Sequence, residues 1–310
     1  MRIKIIFFSF LIALAAFVPM QVLAQQDDDV RGSFMTTRPK ASPNTNKTGP
    51  TTRPNRRRPK AITINVSGST TAVPASGSST TVATPAKTQR MGLGLTLFMR
   101  DANGLAVRTD PTREFHKGDH IRLLLETNAD GYLYIFNTTD GGKPVMIYPD
   151  PELDEAGNYI QAHVPFEIPS SVAAEERLRW LTFDAHAGME KLYFVFTREP
   201  LPAVPIEDDL ITYCRDNAGK CPWHPEIDLW PRIQKELDQP ILTAKVDIKA
   251  KAQTSNEHRA ATRGIGLNRD DPEPSLIILT ASTSKNILVT TLELIHKDPQ
   301  LTGEPNDQGN

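Results

Sequence analysis

The stretch from Gly118 to Pro149, GDHIRLLLETNADGYLYIFNTTDGGKPVMIYP, most constrains what this chain can fold into. Over Ile121 to Thr127, Ile121, Leu123 and Leu125 alternate with Arg122, Leu124 and Glu126, the period-two pattern of a half-buried strand. Asn128-Ala-Asp-Gly131 then reads as a tight turn, with Asp130-Gly131 as a hairpin signal. From Tyr132 to Asn137, Leu133 and Ile135 lie on one face and Tyr132, Tyr134 and Phe136 on the other. A strand that is apolar on both faces is expected at the centre of a sandwich. Asp140-Gly141-Gly142 turns the chain again, and Val145 to Tyr148 continues the meander until Pro149 stops it. Three consecutive antiparallel strands are therefore expected.

The same periodicity runs through a body placed at residues 91–298, long enough to bury one sizeable core. Further strands are expected at Leu93 to Met99, Val164 to Ile168, Trp180 to Phe183, Leu192 to Thr197, Ser275 to Ala281 and Ile287 to Ile295. About nine strands with little helical pattern call for an all-β, antiparallel β-sandwich, immunoglobulin-like or related. One or two short helices join it. Val172 to Leu178 is one, capped by Ser170 or Ser171. Arg232 to Leu237 is the other, with Pro231 at its first position. Residues 204–274 read as a long insertion, with an edge strand near Ala244 to Ala250 and a mobile polar stretch from Lys251 to Pro274.

The N-terminal third has a different character. Arg2 and Lys4, the apolar run Ile5 to Val18 and the small-x-small ending Val22-Leu23-Ala24 form an export signal over residues 1–24. That run is shorter than the roughly 18 to 20 residues of a spanning helix, and no later segment is apolar enough to cross a membrane. Residues 25–90 are rich in Thr, Ser and Pro, a composition that cannot offset the entropy of ordering, so a disordered linker is expected. Ile62 to Val66 is a β-like island within it, either a docking strand or a chance run. The linker carries 11 Lys and Arg against 3 acids, and residues 91–310 carry 22 against 34. Arg53, Arg56, Arg57, Arg58 and Lys60 are the densest part of this basic arm. In an exported chain such a cluster suits an anionic envelope polymer, a lipid headgroup or the protein's own acidic body rather than nucleic acid. It equally suits a linker that merely keeps the chain soluble. Residues 299–310 read as a flexible tail.

Chemistry is sparse. Cys214 and Cys221, with six residues between them, read as a local disulfide in an oxidising compartment. His116 and His120 have the spacing one helix face needs for zinc, but Gly118-Asp119 between them breaks that geometry. Acidic runs at Asp150 to Glu155, Glu207 to Asp209 and Asp270-Asp271 lack the spacing of a calcium loop. No nucleophile elbow, P-loop or dinucleotide fingerprint occurs, so neither a metal nor a cofactor is expected. Tyr132, Tyr134, Phe136 and Tyr148 are the candidate binding residues: most such aromatics are core, yet tyrosines with polar tips also line grooves.

These residues resemble the bacterial domain of unknown function 4384. The likeness rests on Phe115-x-x-Gly118-Asp119, on Asp130-Gly-Tyr-Leu-Tyr-Ile-Phe-Asn137, on Asp140-Gly-Gly142 and on Met146-Ile-Tyr-Pro149. Asn158 with Ile160, Ile168-Pro169 and Gly188-x-Glu190-x-Leu192 also fit, so the likeness covers residues 91–203 well and thins towards 297. The resemblance implies an accessory module with no catalytic residues to carry over. A non-enzymatic, exported module that binds a protein, glycan or wall polymer of the cell envelope is the leading expectation. The alternatives are a hydrolase assembled from dispersed residues such as His163, His186 and Asp184, and a purely structural envelope protein.

Overall fold

The computed structural model of the chain describes residues 18–41, 89–151, 157–217, 219, 221–247 and 250–297. Along it run α1 (Val18–Met35), β1 (Gly92–Arg100), β2 (Ala106–Arg108), β3 (Glu114–Phe115), β4 (His120–Thr127) and β5 (Gly131–Thr139). Next come β6 (Val145–Tyr148), β7 (Tyr159–Ile160), β8 (Phe166–Ile168), β9 (Leu181–Thr182) and β10 (Gly188–Thr197). The chain then passes through α2 (Glu207–Asp216), α3 (Leu229–Leu237) and β11 (Ile241–Lys245). It continues with α4 (Ser255–Arg263), β12 (Leu276–Thr280) and β13 (Ile287–His296).

The strands form two sheets. The first has the order β11-β12-β1-β4-β8, with β2 also on β1 and β9 also on β4. The second has the order β3-β13-β10-β5-β6, with β7 also on β5. Pairing is antiparallel except between β13 and the two-residue β3. Period-two alternation decides what faces between the sheets. Leu93, Leu95 and Leu97 of β1 and Ile121, Leu123 and Leu125 of β4 meet Leu133 and Ile135 of β5 and Leu192, Phe194 and Phe196 of β10 in one buried cluster. The expected antiparallel sandwich is present, with four α-helices among the described residues.

Where the structure departs from local signals, long-range contacts are the cause. Strands β4 and β5 belong to different sheets, so Asp130-Gly131 is a crossing and not a hairpin. Gly131 serves close approach: a Cβ there would overlap the Thr197 carbonyl oxygen of β10. The Asp130 carboxylate accepts hydrogen bonds from the Ala162 amide at 2.8 Å and the Tyr159 hydroxyl at 3.1 Å, tying down the β7 turn. The second expected turn, Asp140-Gly141-Gly142, does join the paired strands β5 and β6.

The 204–274 stretch holds α2, α3, β11 and α4. Pro231 is the third residue of α3, not its first. Val172 to Leu178 yields a single 3-10 turn at Glu176–Arg179 without a side-chain cap. The stretch expected to be mobile forms α4. Thr254 and Glu257 close a reciprocal capping box at its start, and Gly264 ends it in the left-handed conformation at φ 64°. Its S/T-x-x-E signature stands in the sequence. Among the described residues, no helix is long and apolar enough to cross a membrane.

Candidate functional site

Both outer faces of the sandwich are covered, by different chemistry. On the first sheet the cover begins with residues 26–41, which composition assigns to the linker. They are instead packed on the body: Val30 and Phe34 of α1 are buried against Ala244, Ile277 and Leu279. Glycine at position 94 makes room, since a Cβ there would press on the Pro274 ring and the Phe34 ring. Arg38 follows, only 1% exposed. All five of its N–H donors are used. Nε and one Nη donate to the Glu126 carboxylate at 2.8 and 2.6 Å. The others reach the carbonyls of Asn268 at 3.2 Å, Asp271 at 2.9 Å and Pro272 at 3.1 Å. His163 shares a 2.7 Å hydrogen bond with Glu126 through Nδ1 and a 2.8 Å bond with the Thr37 hydroxyl through Nε2. Burial pushes the Glu126 carboxyl up, but the bonds from His163 and Arg38 outweigh it and hold the group below the ordinary carboxylate value.

A second buried pair lies alongside. Arg108 donates to Glu257 at 2.5 Å, and the same Glu257 side chain accepts from the Thr254 amide at 2.8 Å in the capping box of α4. Arg122 is buried too, donating to the Arg179 carbonyl at 2.7 Å and lying 3.9 Å over the Trp180 ring. Strand β4 is thus buried on both faces, not half-buried as its alternation suggests: Arg122 is 5% and Glu126 3% exposed. Charged side chains on a nominally wet face became interior because distant segments brought a counter-charge to Glu126 and a carbonyl and an aromatic ring to Arg122.

On the second sheet the cover is apolar. Tyr132, Tyr134 and Phe136 point away from the sandwich core and are buried under Leu210 of α2, Leu229 and Ile233 of α3, and Trp223. Trp230 meets Phe136 and Tyr193 edge-on at 5.8 and 4.8 Å. The Tyr134 hydroxyl accepts from the Leu201 amide at 2.9 Å. Tyr148 faces inward, between the sheets, and its hydroxyl donates to the Gly157 carbonyl. All four candidate binding aromatics are at most 3% exposed, so a groove made of them is not what the structure presents. Cys214 and Cys221 are joined, Cα to Cα 5.4 Å, fixing the last turn of α2 to the segment that carries Trp223. The Trp223 carbonyl in turn accepts from the Met146 amide at 2.8 Å, covering the β6 edge.

Two clefts open among the described residues: a smaller one of about 310 Å³ beside Arg108 and Ser275, and a larger one at an end of the sandwich. The larger, of about 420 Å³, lies between the start of β4, the β9 turn, the start of β10 and the end of β13. Its inner walls are aliphatic, from Ile121, Leu181, Leu192 and Leu294. Backbone bonds between Gly118 and Phe183 and between Phe183 and Asp119, at 2.9 and 3.0 Å, hold the β9 turn in place. Phe183 stacks on Phe115 at 4.9 Å and meets the His296 ring at 5.1 Å. His296 is 3% exposed, and its Nε2 has no protein hydrogen-bond partner.

The rim is acidic and pre-set. Glu190 accepts from Asn137 Nδ2 at 2.7 Å and from the Thr139 hydroxyl at 2.9 and 3.0 Å. Asp184 accepts from the His186 amide at 2.7 Å, and its other oxygen lies 3.1 Å from His186 Nδ1. The His186 amide bond, then its ring, hold the Asp184 carboxyl below its ordinary value, and His296 adds to this. Sequence reasoning singled out Asp184 and His186 and missed Glu190 and His296. Glu190 stands in the Gly188-x-Glu190-x-Leu192 motif without any sign of a binding role, and nothing local marks His296; adjacency of β10 and β13, where Gly188 is opposite His296, brings them together.

The structure does not bring His163 to this cleft. It bonds Glu126 near the end of β4, whereas Asp184 follows β9, which pairs with His120 at the start of β4. Six residues of strand separate the two places by about 20 Å. The Ser171 hydroxyl lies 3.5 Å from His258, and Glu167 3.9 Å, both from the same Nδ1, so they do not make a relay. His116 sits in a turn and His120 on β4, where its ring bonds the Thr182 hydroxyl at 2.8 Å. Among the described residues no group of three His, Cys, Asp or Glu side chains is placed to hold a metal ion. Arg53, Arg56, Arg57, Arg58 and Lys60, the island Ile62 to Val66, the signal core before Val18 and the tail lie outside the described residues.

The fold and its covered faces define a helix-faced β-sandwich module. A sequence model of the family described as a domain of unknown function (DUF4384) matches residues 114–200, confirming the likeness carried by the motifs. The matched span runs from β3 through β10; it includes Glu126, Asp184 and Glu190 but not Arg38, Glu257 or His296. No curated protein and no solved structure matches the chain.

Proposed function

We propose that the chain is an exported, non-enzymatic binding module of the bacterial cell envelope, with the end cleft as its binding site. The observation that carries the binding half is the cleft itself: aliphatic walls, a rim with two positioned carboxylates, and a volume within the range of small-ligand sites. The disulfide supports an oxidising compartment, in keeping with the signal-like N-terminus. The basic arm adds attraction to anionic wall polymer. Its flanks are both on the body, Arg38 on one side and Gln89, which donates to the Asn128 carbonyl at 2.6 Å, on the other. Seven Lys and Arg with no acid occupy residues 42–88 between those two flanks.

The test is retention of envelope components on the chain from residue 25, at low and high salt. It is run beside an internal deletion of residues 43–87, which leaves Arg38 in place, and beside Thr182→Trp, which fills the cleft from an exposed position. Retention at high salt by the deletion chain, lost with Thr182→Trp, is the expected result. Retention that needs residues 43–87 and vanishes in salt would assign binding to the arm instead, and no retention under any condition would overturn the module reading.

A further inference from the structure

The cleft has a charge and polarity that select an occupant. Its two rim carboxylates retain unused acceptor positions. Among the described residues, Glu190 accepts from Asn137 and Thr139 and Asp184 from His186, against about four lone-pair directions on a carboxylate. The neighbouring cations are already engaged: Lys297 with Glu114 at 2.5 Å, and Lys191 with Glu293 at 2.8 Å, the latter pair one residue out of phase with Glu190 and so on the opposite sheet face. Behind the rim the walls are aliphatic, with the Phe183 ring and the buried His296 ring at the back. Among the described residues the buried His296 Nε2 has no hydrogen-bond partner, so this wall carries an unmet polar group.

We infer that the cleft binds a small organic amine with an apolar body, its ammonium group read by Glu190 and Asp184 and its hydrocarbon part seated against Leu181, Leu192 and Leu294. This inference rests on the cleft being the binding site and adds the chemical class of its ligand. An ammonium brings three donors to the unused acceptor positions of Glu190 and Asp184. A carboxylate of the same shape meets like charge there, and an alcohol brings a single donor. A hydrogen bond between charged groups is stronger than a neutral one, so the amine binds about tenfold or more tighter than the matched alcohol. Because the rim is exposed, added salt narrows that margin.

The experiment titrates the intact chain from residue 25 with 2-phenylethylamine, 2-phenylethanol and 3-phenylpropionate, by calorimetry and by NMR of His296 and Phe183. Phe136, buried under the helices of the other face, is the control signal. The expected order is amine, then alcohol, then carboxylate, with shifts at His296 and Phe183 and none at Phe136. Glu190→Gln should remove most of the amine's advantage while leaving alcohol binding in place, and Thr182→Trp should abolish all three. Equal affinities, tighter carboxylate binding, or amine binding that survives Thr182→Trp would each overturn the ligand class. Such a result beside Thr182-sensitive retention of an envelope component would discard the amine and keep the module. Amine binding with no retained component would do the reverse.

Discussion

The two outer faces of this sandwich solve the same problem, keeping a strand's second face out of water, by opposite means. The second sheet uses bulk: Tyr132, Tyr134 and Phe136 under two helices and Trp223. The first sheet uses matched charge: Arg38 on Glu126 and Arg108 on Glu257, with Phe34, Leu124 and Ala261 filling beside them. Bulk tolerates approximation, because neighbours relax and each lost methylene costs its own increment. A buried ion pair does not, because removing one partner strands the other's charge. The first face is therefore the more brittle one, although fewer large side chains build it.

The largest effect tests that contrast directly. Arg38→Ala should destabilise the chain by about 3–5 kcal/mol, since it leaves the buried Glu126 carboxylate with the His163 imidazole as its remaining side-chain hydrogen-bond partner among the described residues. The double change Arg38→Met with Glu126→Leu should recover most of the loss, because no charge is left unpaired. Chemical denaturation at neutral pH measures both. If Arg38→Ala costs no more than a surface substitution, the lock is not holding the N-terminal segment, and the contrast between the faces fails.

The same contrast explains which parts were legible in the sequence. An aromatic strand announces its own burial: Tyr132 to Phe136 reads as apolar on both faces, and β5 is indeed central. Strand β4 has the correct parity in sequence, with Ile121, Leu123 and Leu125 inward, but its outer face looks wet because Arg122 and Glu126 are charged. Their burial depends on groups 57 and 88 positions away, Arg179 and Arg38. Periodicity within a window carries no such information. Arg38 itself sits in a Thr- and Pro-rich context that reads as linker. The cleft was half legible for the same reason. Asp184 and His186 are neighbours in sequence, whereas Glu190 and His296 meet only through the β10–β13 register.

A middle-sized effect probes the bulky face. Cys214→Ser with Cys221→Ser should cost about 2–3 kcal/mol by the entropy of so short a loop. The loss should be local in character, because the disulfide fastens α2 to the Trp223 segment, not to the sheet. Hydrogen exchange should quicken in α2 and at the Met146 amide, which donates to Trp223, while the amides of β1 and β4 keep their protection. Equal quickening in β1 and β4 would mean that the two faces unfold as one unit and that the distinction between them has no energetic content.

The smallest effect sharpens the charged face by pH. Glu167, buried beside β4, lies 3.9 Å from His258 of α4 and raises that imidazole above its ordinary value of 6.5, against the opposing effect of burial. Burial pushes Glu167 itself up, but His258, the Ser171 side chain, Arg122 and Gln253 together hold it below the ordinary 4.5. The histidine's contribution is thus fully present below about 6.5, its unfolded value, and is lost as pH rises through the higher folded value. The carboxylate's contribution is present above its unfolded value and is lost as pH falls through the lower folded one. Because the His258 ring is half-exposed, the alkaline loss should stay within about 1 kcal/mol. His258→Gln should flatten the stability curve on the alkaline side of 6.5 and only shrink the acid limb, since Glu126 carries its share without His258 and Glu167 keeps Ser171, Arg122 and Gln253. An unchanged alkaline limb would show that α4 is held by Arg108 and Glu257 alone, and that the charged cover is two locks rather than three.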